Sequence, residues 1–245
     1  MNRVVLITGA ANGIGAAIAH TFADQGDDVV VTDLDAASAA EVARTIRAAG
    51  GSATAHALDV ASDADWTALS EELRGAGRPP AIVVNNAFRN TVAPVHELDP
   101  ADWQATVDVT LGGVYRSVRT FHDTLTAAHG AVVNVASVHA LLGWPGHPAY
   151  AAAKGGIVAL TRQLSVEYAP HVRVNAVLPG SIETRAWDSV DEAGRAAARR
   201  QATLGRFGRP EEVASVVVFL AGEGSSYVTG AALAVDGGQS TTVAV

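Results

Sequence analysis

The stretch Arg3-Val4-Val5-Leu6-Ile7-Thr8-Gly9-Ala10-Ala11-Asn12-Gly13-Ile14-Gly15 passes from a β-branched apolar run straight into a glycine cluster. Four consecutive apolar residues at 4–7 predict a buried strand. The Ala-rich residues that follow Gly15 predict a helix over about 13–26. Glycines at a strand–helix junction permit a tight turn. They also let backbone N–H groups approach a pyrophosphate at the helix N-terminus. A glycine cluster alone says little, because turns are rich in glycine; its place at the first such junction gives it weight.

Outward from this loop, the same alternation repeats. Further β-branched runs at 28–32, 53–58, 81–84, 131–135, 173–177 and 231–235 read as strands. Helical stretches fall between them near 36–50, 62–75, 100–128, 149–169 and 210–222. Strands alternating with crossover helices imply an α/β fold with a doubly wound parallel sheet, here seven-stranded and flanked by helices. No repeat, low-complexity linker or composition break divides residues 1–245, so a single Rossmann-type domain is expected. Residues 181–209 are too long for a normal connection and read as a substrate-covering lid.

Composition narrows the function classes. Apolar residues make up 49% and charged residues 17% of the 245, which excludes disorder and fits a sheet covered on both faces. No apolar run reaches the ~18–20 residues of a membrane span. The N-terminus enters the first strand directly, so an unprocessed cytoplasmic protein is expected. Cysteine is absent, which removes disulfides and thiol chemistry. The net charge of −8, without a basic run, makes nucleic acid an unsuitable partner. No His, Asp or Glu set has metal-ligand spacing, so no metal is expected.

Asp33 closes the second strand, eighteen residues beyond Gly15. An acid there accepts hydrogen bonds from ribose hydroxyls and repels a 2′-phosphate. With no Arg or Lys in the glycine loop or beside Asp33, NAD(H) is favoured over NADP(H). Asp59-Val60, after the third strand, is placed for the adenine edge.

Ser137 ends the fifth strand, and Tyr150-Ala151-Ala152-Ala153-Lys154 follows thirteen residues later. Tyr and Lys at i and i+4 share one helix face. An ammonium there favours the phenolate, drawing the tyrosine pKa from about 10 toward the range useful for acid–base catalysis. Ser137 can hold a substrate oxygen near the phenol. The pattern points to a proton donor and acceptor working on a secondary alcohol or its ketone.

With these elements in this order the chain resembles the short-chain dehydrogenase/reductase family, in its single-domain branch. The resemblance rests on Thr8–Gly15, Asp59-Val60, Asn85-Asn86-Ala87, Ser137, Tyr150 with Lys154, Pro179-Gly180 with Thr184, and Val235-Asp236-Gly237-Gly238. It implies Tyr150 as acid/base, Ser137 as the orienting hydroxyl, and Lys154 as the group that tunes Tyr150 and binds the nicotinamide ribose. It implies a dinucleotide held by Gly9, Asn12, Gly13, Ile14, Gly15, Asp33, Asp59, Val60, Asn86, Ala87, Pro179, Gly180, Ile182 and Thr184. It also implies a homotetramer, with the long helices near 100–128 and 149–169 paired across one interface and the last strand across another.

Two positions depart from the family pattern. Phe88 stands where a Gly usually follows Asn-Asn-Ala, which narrows or reshapes the pocket. Thr110 stands where the fourth catalytic residue is an Asn. The family relay runs largely through a water on the main-chain carbonyl there, so an altered relay is expected. Arg89, His139, Trp144, His147 and Trp187 cluster in sequence around the expected pocket mouth as candidate substrate contacts. The leading expectation is an NAD(H)-dependent dehydrogenase or reductase of a small alcohol or ketone. The alternatives are an NADPH-dependent 3-oxoacyl-acyl-carrier-protein reductase and a non-catalytic cofactor-sensing protein.

Overall fold

In the computed structural model, which describes residues 2–241, seven parallel strands form one sheet. They are β1 (Val4–Thr8), β2 (Asp28–Asp33), β3 (Ser52–Ala57), β4 (Ile82–Asn85), β5 (Ala131–Val135), β6 (Arg173–Pro179) and β7 (Ala232–Val235), in the order β3-β2-β1-β4-β5-β6-β7. The chain order reverses between β1 and β4. In open α/β sheets that reversal creates the crevice outside the strand C-termini where ligands bind.

Side-chain alternation along the strands supplies two cores. Val5, Ile7, Val29, Val31, Val84 and Val133 face α1 (Gly13–Asp24), α2 (Ala36–Ala48) and α8 (Pro210–Ala221). Leu6, Val30, Val83, Val132 and Val174 face α3 (Asp63–Gly75), α5 (Gly113–Ala127) and α6 (Pro148–Glu167). Both faces are covered, so the strands read as apolar runs rather than as alternating ones.

The single helix expected over 100–128 is instead α4 (Pro100–Val107), a π-helical turn (Asp108–Gly112) and α5. Gly112-Gly113 lies at the exit of that turn, and a side chain at Gly113 would come within 3.2 Å of Val60. The close approach of helix to sheet therefore depends on the small residue. Thr110 is buried inside the π turn, a helix irregularity that recurs at functional sites.

A buried polar chain fixes α6 on the sheet. Asn85 Nδ2 donates to Asn134 Oδ1 at 2.9 Å, and Asn134 Nδ2 donates to Thr161 Oγ1 at 2.9 Å. Buried amides must find partners, and these partners set the register of α6 against β4 and β5.

Residues 181–209 contain a 3₁₀ turn (Arg185–Trp187) and α7 (Glu192–Gln201), a helix the sequence pattern did not separate from its surroundings. The two ends of this segment meet at the Ile182–Gly208 bridge, where Glu183 N donates to Gly208 O at 2.8 Å and Gly208 N to Ser181 O at 2.9 Å. Among the described residues no helix is long and apolar enough to cross a membrane.

Candidate active site

The glycine loop takes the shape its composition demands. Gly9 and Gly13 have φ of +61° and +54°, in the left-handed region that favours glycine. A Cβ on Gly15 would lie 2.2 Å from Gly9 O, so only hydrogen fits. Asn12 precedes α1 without capping it through its side chain, and no acid occupies the first turn. The first-turn N–H groups therefore keep the positive end of the helix dipole free for an anion. Ile14 packs on the core behind the loop.

Neighbouring strand ends hold this loop. Thr8 Oγ1 accepts from the N–H groups of Asn86 at 3.0 Å and Ala87 at 3.1 Å. The Asn86 amide donates back to Thr8 O at 3.1 Å and Gly9 O at 2.8 Å. Asp33 accepts from Ala11 N at 3.0 Å and Asp35 N at 3.1 Å, which puts its carboxylate beside the glycine loop. From the other side, Thr184 Cγ2 lies 3.2 Å from where a Gly13 Cβ would be, so the start of the 181–209 segment reaches the loop. Gly180 packs on Asp236, and its N–H donates to Val235 O at 3.1 Å, which leads the chain from Pro179 toward Ile182 and Thr184. Asp59 Oδ1 accepts from Ala61 N at 2.9 Å, and buried Val60 accepts from Trp66 Nε1 at 3.0 Å. A cradle that excludes side chains, an uncapped helix start and a carboxylate at the second strand together fit a dinucleotide.

Ser137, Tyr150 and Lys154 converge beyond β5. Lys154 is fully buried, and its Nζ donates to Val135 O at 2.6 Å, two residues before Ser137. Among the 17 Lys and Arg residues of the chain it is the single lysine. A sequence that uses Arg for every other cation and keeps one Lys, buried, signals a need for a compact ammonium whose pKa can move. Burial lowers the Lys154 pKa to about 7. Burial also pushes the Tyr150 phenol up to about 12, while a hydrogen bond with Ser137 pulls the other way. The expectation that Lys154 draws the phenol down is thus corrected for this geometry, because desolvation of the phenolate outweighs it.

Phe88 stands edge-on to Tyr150, with ring centroids 5.8 Å apart, and its centroid lies 5.6 Å from Lys154 Nζ. The residue that replaces a glycine therefore covers the Tyr–Lys pair. Thr110 supports the same loop: its Oγ1 accepts from Arg89 N at 3.1 Å and donates to Arg89 O at 3.2 Å. Its hydroxyl is thus engaged with main chain rather than with Tyr150.

His139 lies on Tyr150 (5.2 Å), Trp144 (4.4 Å) and His147 (5.0 Å). His147 Nδ1 meets the Asn90 side-chain amide at 3.0 Å. Asn90 is a contributor the sequence did not mark, since an exposed loop Asn carries no local signal. Two candidates fall elsewhere. The Arg89 guanidinium pairs with Asp102 at 2.7 Å at the surface. Trp187 packs on Phe207 at 4.6 Å, and its Nε1 donates to Ile182 O at 2.9 Å, within the 181–209 segment. The five candidates are therefore split, with His139, Trp144 and His147 around Tyr150 and the other two apart. A cleft of about 470 Å³ at the two ends of the 181–209 segment, lined by Ser181, Ile182, Leu204 and Gly238, includes none of Ser137, Tyr150 and Lys154.

Comparison with known proteins agrees with this geometry. A family model described as enoyl-(acyl carrier protein) reductase matches residues 9–240. The chain belongs to the short-chain dehydrogenase/reductase family. It is 40% identical over 239 residues to a cis-4-hydroxycyclohexanecarboxylate dehydrogenase from Sinomonas cyclohexanicum, covering 96% of each chain. It is 36% identical over 239 residues to a 3-oxoacyl-acyl-carrier-protein reductase from Thermotoga maritima, covering 96% of this chain and 97% of the other. Its fold superposes with a TM-score of 0.94 on a gluconate 5-dehydrogenase from Burkholderia cenocepacia in complex with NADP and tartrate, at 31% identity, covering 99% of this chain and 97% of the other. This member of the family is an NAD(P)-dependent oxidoreductase acting on CH–OH groups.

Proposed function

We propose that the enzyme interconverts a secondary alcohol and a ketone with NAD(H), using Tyr150 as acid/base. The observation that carries this is the buried Lys154 ammonium, hydrogen-bonded to Val135 O beneath Tyr150 and beside Ser137. When bound, the dinucleotide supplies the hydride acceptor or donor. Ser137 holds the substrate oxygen against the phenol, Tyr150 gives or takes the proton, and Lys154, tied to Val135 O beneath the ring, would meet the nicotinamide ribose. The π turn at Thr110 keeps the Phe88–Arg89 segment over this pair, so the pocket is narrower than a glycine would leave it. Residues 181–209 cover the substrate.

Asp33 supports NAD(H): its carboxylate lies beside Ala11, where a 2′-phosphate would be repelled. Three proteins 33–38% identical to this chain are 3-oxoacyl-acyl-carrier-protein reductases, which keeps that activity as the second reading. Asp33 and the bulk of Phe88 weigh against it. A cofactor-sensing protein would have no use for an intact Ser137–Tyr150–Lys154 set.

The same reading carries a cytoplasmic homotetramer with helix pairs α5 and α6 at one interface. A cleft of about 480 Å³ between those helices, lined by Tyr115, Leu160 and Tyr168, supports it, and light scattering that gives a monomer refutes it. The decisive experiment for the activity is NADH- and NADPH-linked turnover across a panel of secondary alcohols and ketones. Turnover with NADH is expected. Tight NADH binding without turnover overturns the enzyme reading.

A further inference from the structure

Three polar side chains from three separate segments meet beside Tyr150. Asn90 comes from the loop after β4, His139 from the turn after β5, and His147 from the residue before α6. His147 and Asn90 satisfy each other. His139 does not share in this: its Nδ1 is sealed from solvent and has no hydrogen-bond partner among the described residues. The ring is fixed between Trp144 and Tyr150. A neutral imidazole offers one donor and one acceptor. With Nδ1 sealed, Nε2 is the atom left to meet a ligand, and it makes no hydrogen bond to the described residues.

The charges acting on this ring have one sign. Lys154 and His147 both repel a proton on His139, and together with desolvation they lower its pKa to about 4. Tyr150 faces the ring uncharged. No acidic side chain figures among these influences, in a protein whose net charge is −8. Burial lowers the His147 pKa as well, so Lys154 is the charge that sets the sign of this pocket, and a sheltered imidazole donor beside an unopposed ammonium suits an anion.

We infer that His139, with His147 and Asn90, forms a subsite for a substrate carboxylate, so that the enzyme acts on short hydroxy acids or oxo acids. The inference rests on Tyr150 and Ser137 being the reacting pair. Ser137 Oγ accepts from His139 N at 3.2 Å, so the subsite adjoins the substrate oxygen and the carboxylate lies only a few bonds from the carbinol carbon. Trp144 walls the subsite and limits it to a small head group. A bound carboxylate offsets the repulsion on His139 and favours its protonation, which couples acid binding to proton uptake.

The test measures NAD-linked oxidation of cis-4-hydroxycyclohexanecarboxylate, tartrate and a series of short 2- and 3-hydroxy acids, each against its methyl ester. The acid-over-ester ratio of kcat/KM is expected to be about tenfold or more, as for a charge-assisted hydrogen bond. His139→Phe keeps the ring stack and is expected to bring the ratio near one through KM, while His139→Gln retains part of it. The acids' KM is expected to rise with pH as the bound histidine loses its proton, and the esters' KM to stay level. Esters used as well as acids throughout, or an unchanged ratio in His139→Phe, overturn the subsite and leave the alcohol–ketone reading standing. No oxidation of any acid or ester overturns the subsite alone, and the alcohol–ketone reading falls only if the wider panel of secondary alcohols and ketones also gives no turnover.

Discussion

Lys154 Nζ and the main-chain carbonyl of Val135 lie 2.6 Å apart, so the only lysine of the chain is tied to the strand that ends in Ser137. The bond fixes the ammonium under the Tyr150 ring, 5.5 Å from its centroid. An arginine could not replace it, because a planar guanidinium of greater bulk does not fit a fully buried point-charge site.

Lys154→Met and Tyr150→Phe are each expected to lower kcat by about a hundred- to ten-thousandfold, the usual scale for a positioned proton-transfer group. Both replacements are apolar and close in volume, so neither should unfold the chain, and Lys154→Met, which removes a buried cation, should melt no lower than the wild type near neutral pH. Lys154→Arg should be as inactive as Lys154→Met. Dinucleotide-linked turnover, read beside a melting curve, separates loss of chemistry from loss of fold.

The buried lysine makes stability depend on pH. Its folded pKa of about 7 lies below the ordinary lysine value of 10.5, so between those values the unfolded chain binds the extra proton. Stability therefore rises with pH across that window and is lost as pH falls through it. His139, lowered to about 4 from 6.5, adds a like dependence between those two values. Above pH 10 the raised Tyr150 acts in the opposite sense. Lys154→Met should lose the alkaline-side rise in unfolding free energy. With one lysine in the chain, a 13Cε-lysine NMR titration reads a single resonance, and a midpoint near 10.5 would refute the shift.

Asp33→Ala removes a carboxylate beside the glycine loop together with the acceptor of Ala11 N–H. Preference for NADH over NADPH should fall by about tenfold or more, since the ribose hydrogen bonds and the repulsion of a 2′-phosphate are lost together. An unmoved ratio of kcat/KM for the two cofactors would show that Asp33 does not meet the ribose.

Thr110→Val leaves both the N–H and the C=O of Arg89 without the hydroxyl they now share. A cost of about 1–3 kcal/mol in denaturant unfolding is expected, as for a buried group left unpaired. Thr110→Ser should retain most of it. If Thr110→Val unfolds like the wild type, the hydroxyl does not anchor the loop.

Much of the fold is legible from local pattern, because parallel strands buried on both faces need unbroken apolar runs and each of the seven forms within two residues of its run. The break in the helix over 100–128 leaves no local mark, since Val109-Thr110-Leu111 carries an ordinary helical pattern, and the π turn there contacts Arg89 and leads into Gly113 against Val60, both distant in sequence. α7 was hidden because its residues lie in a polar segment with little apolar periodicity, Ala198 alone being buried in it.

The site divides in the same way. The sequence by itself determined the glycine loop, Asp33 and the Ser137, Tyr150 and Lys154 set, because each rests on local chemistry: a left-handed turn, a strand end, an i, i+4 helix face. Tertiary structure decided that Phe88 covers Tyr150 and Lys154, and that Thr110 holds Arg89. It also gathered Asn90, His139 and His147 into one group while sending Trp187 to Phe207 and Arg89 to Asp102. Even the Tyr150 pKa went against the sequence-level expectation, because desolvation depends on how deeply a side chain is buried, and burial is set by contacts between segments far apart in the chain.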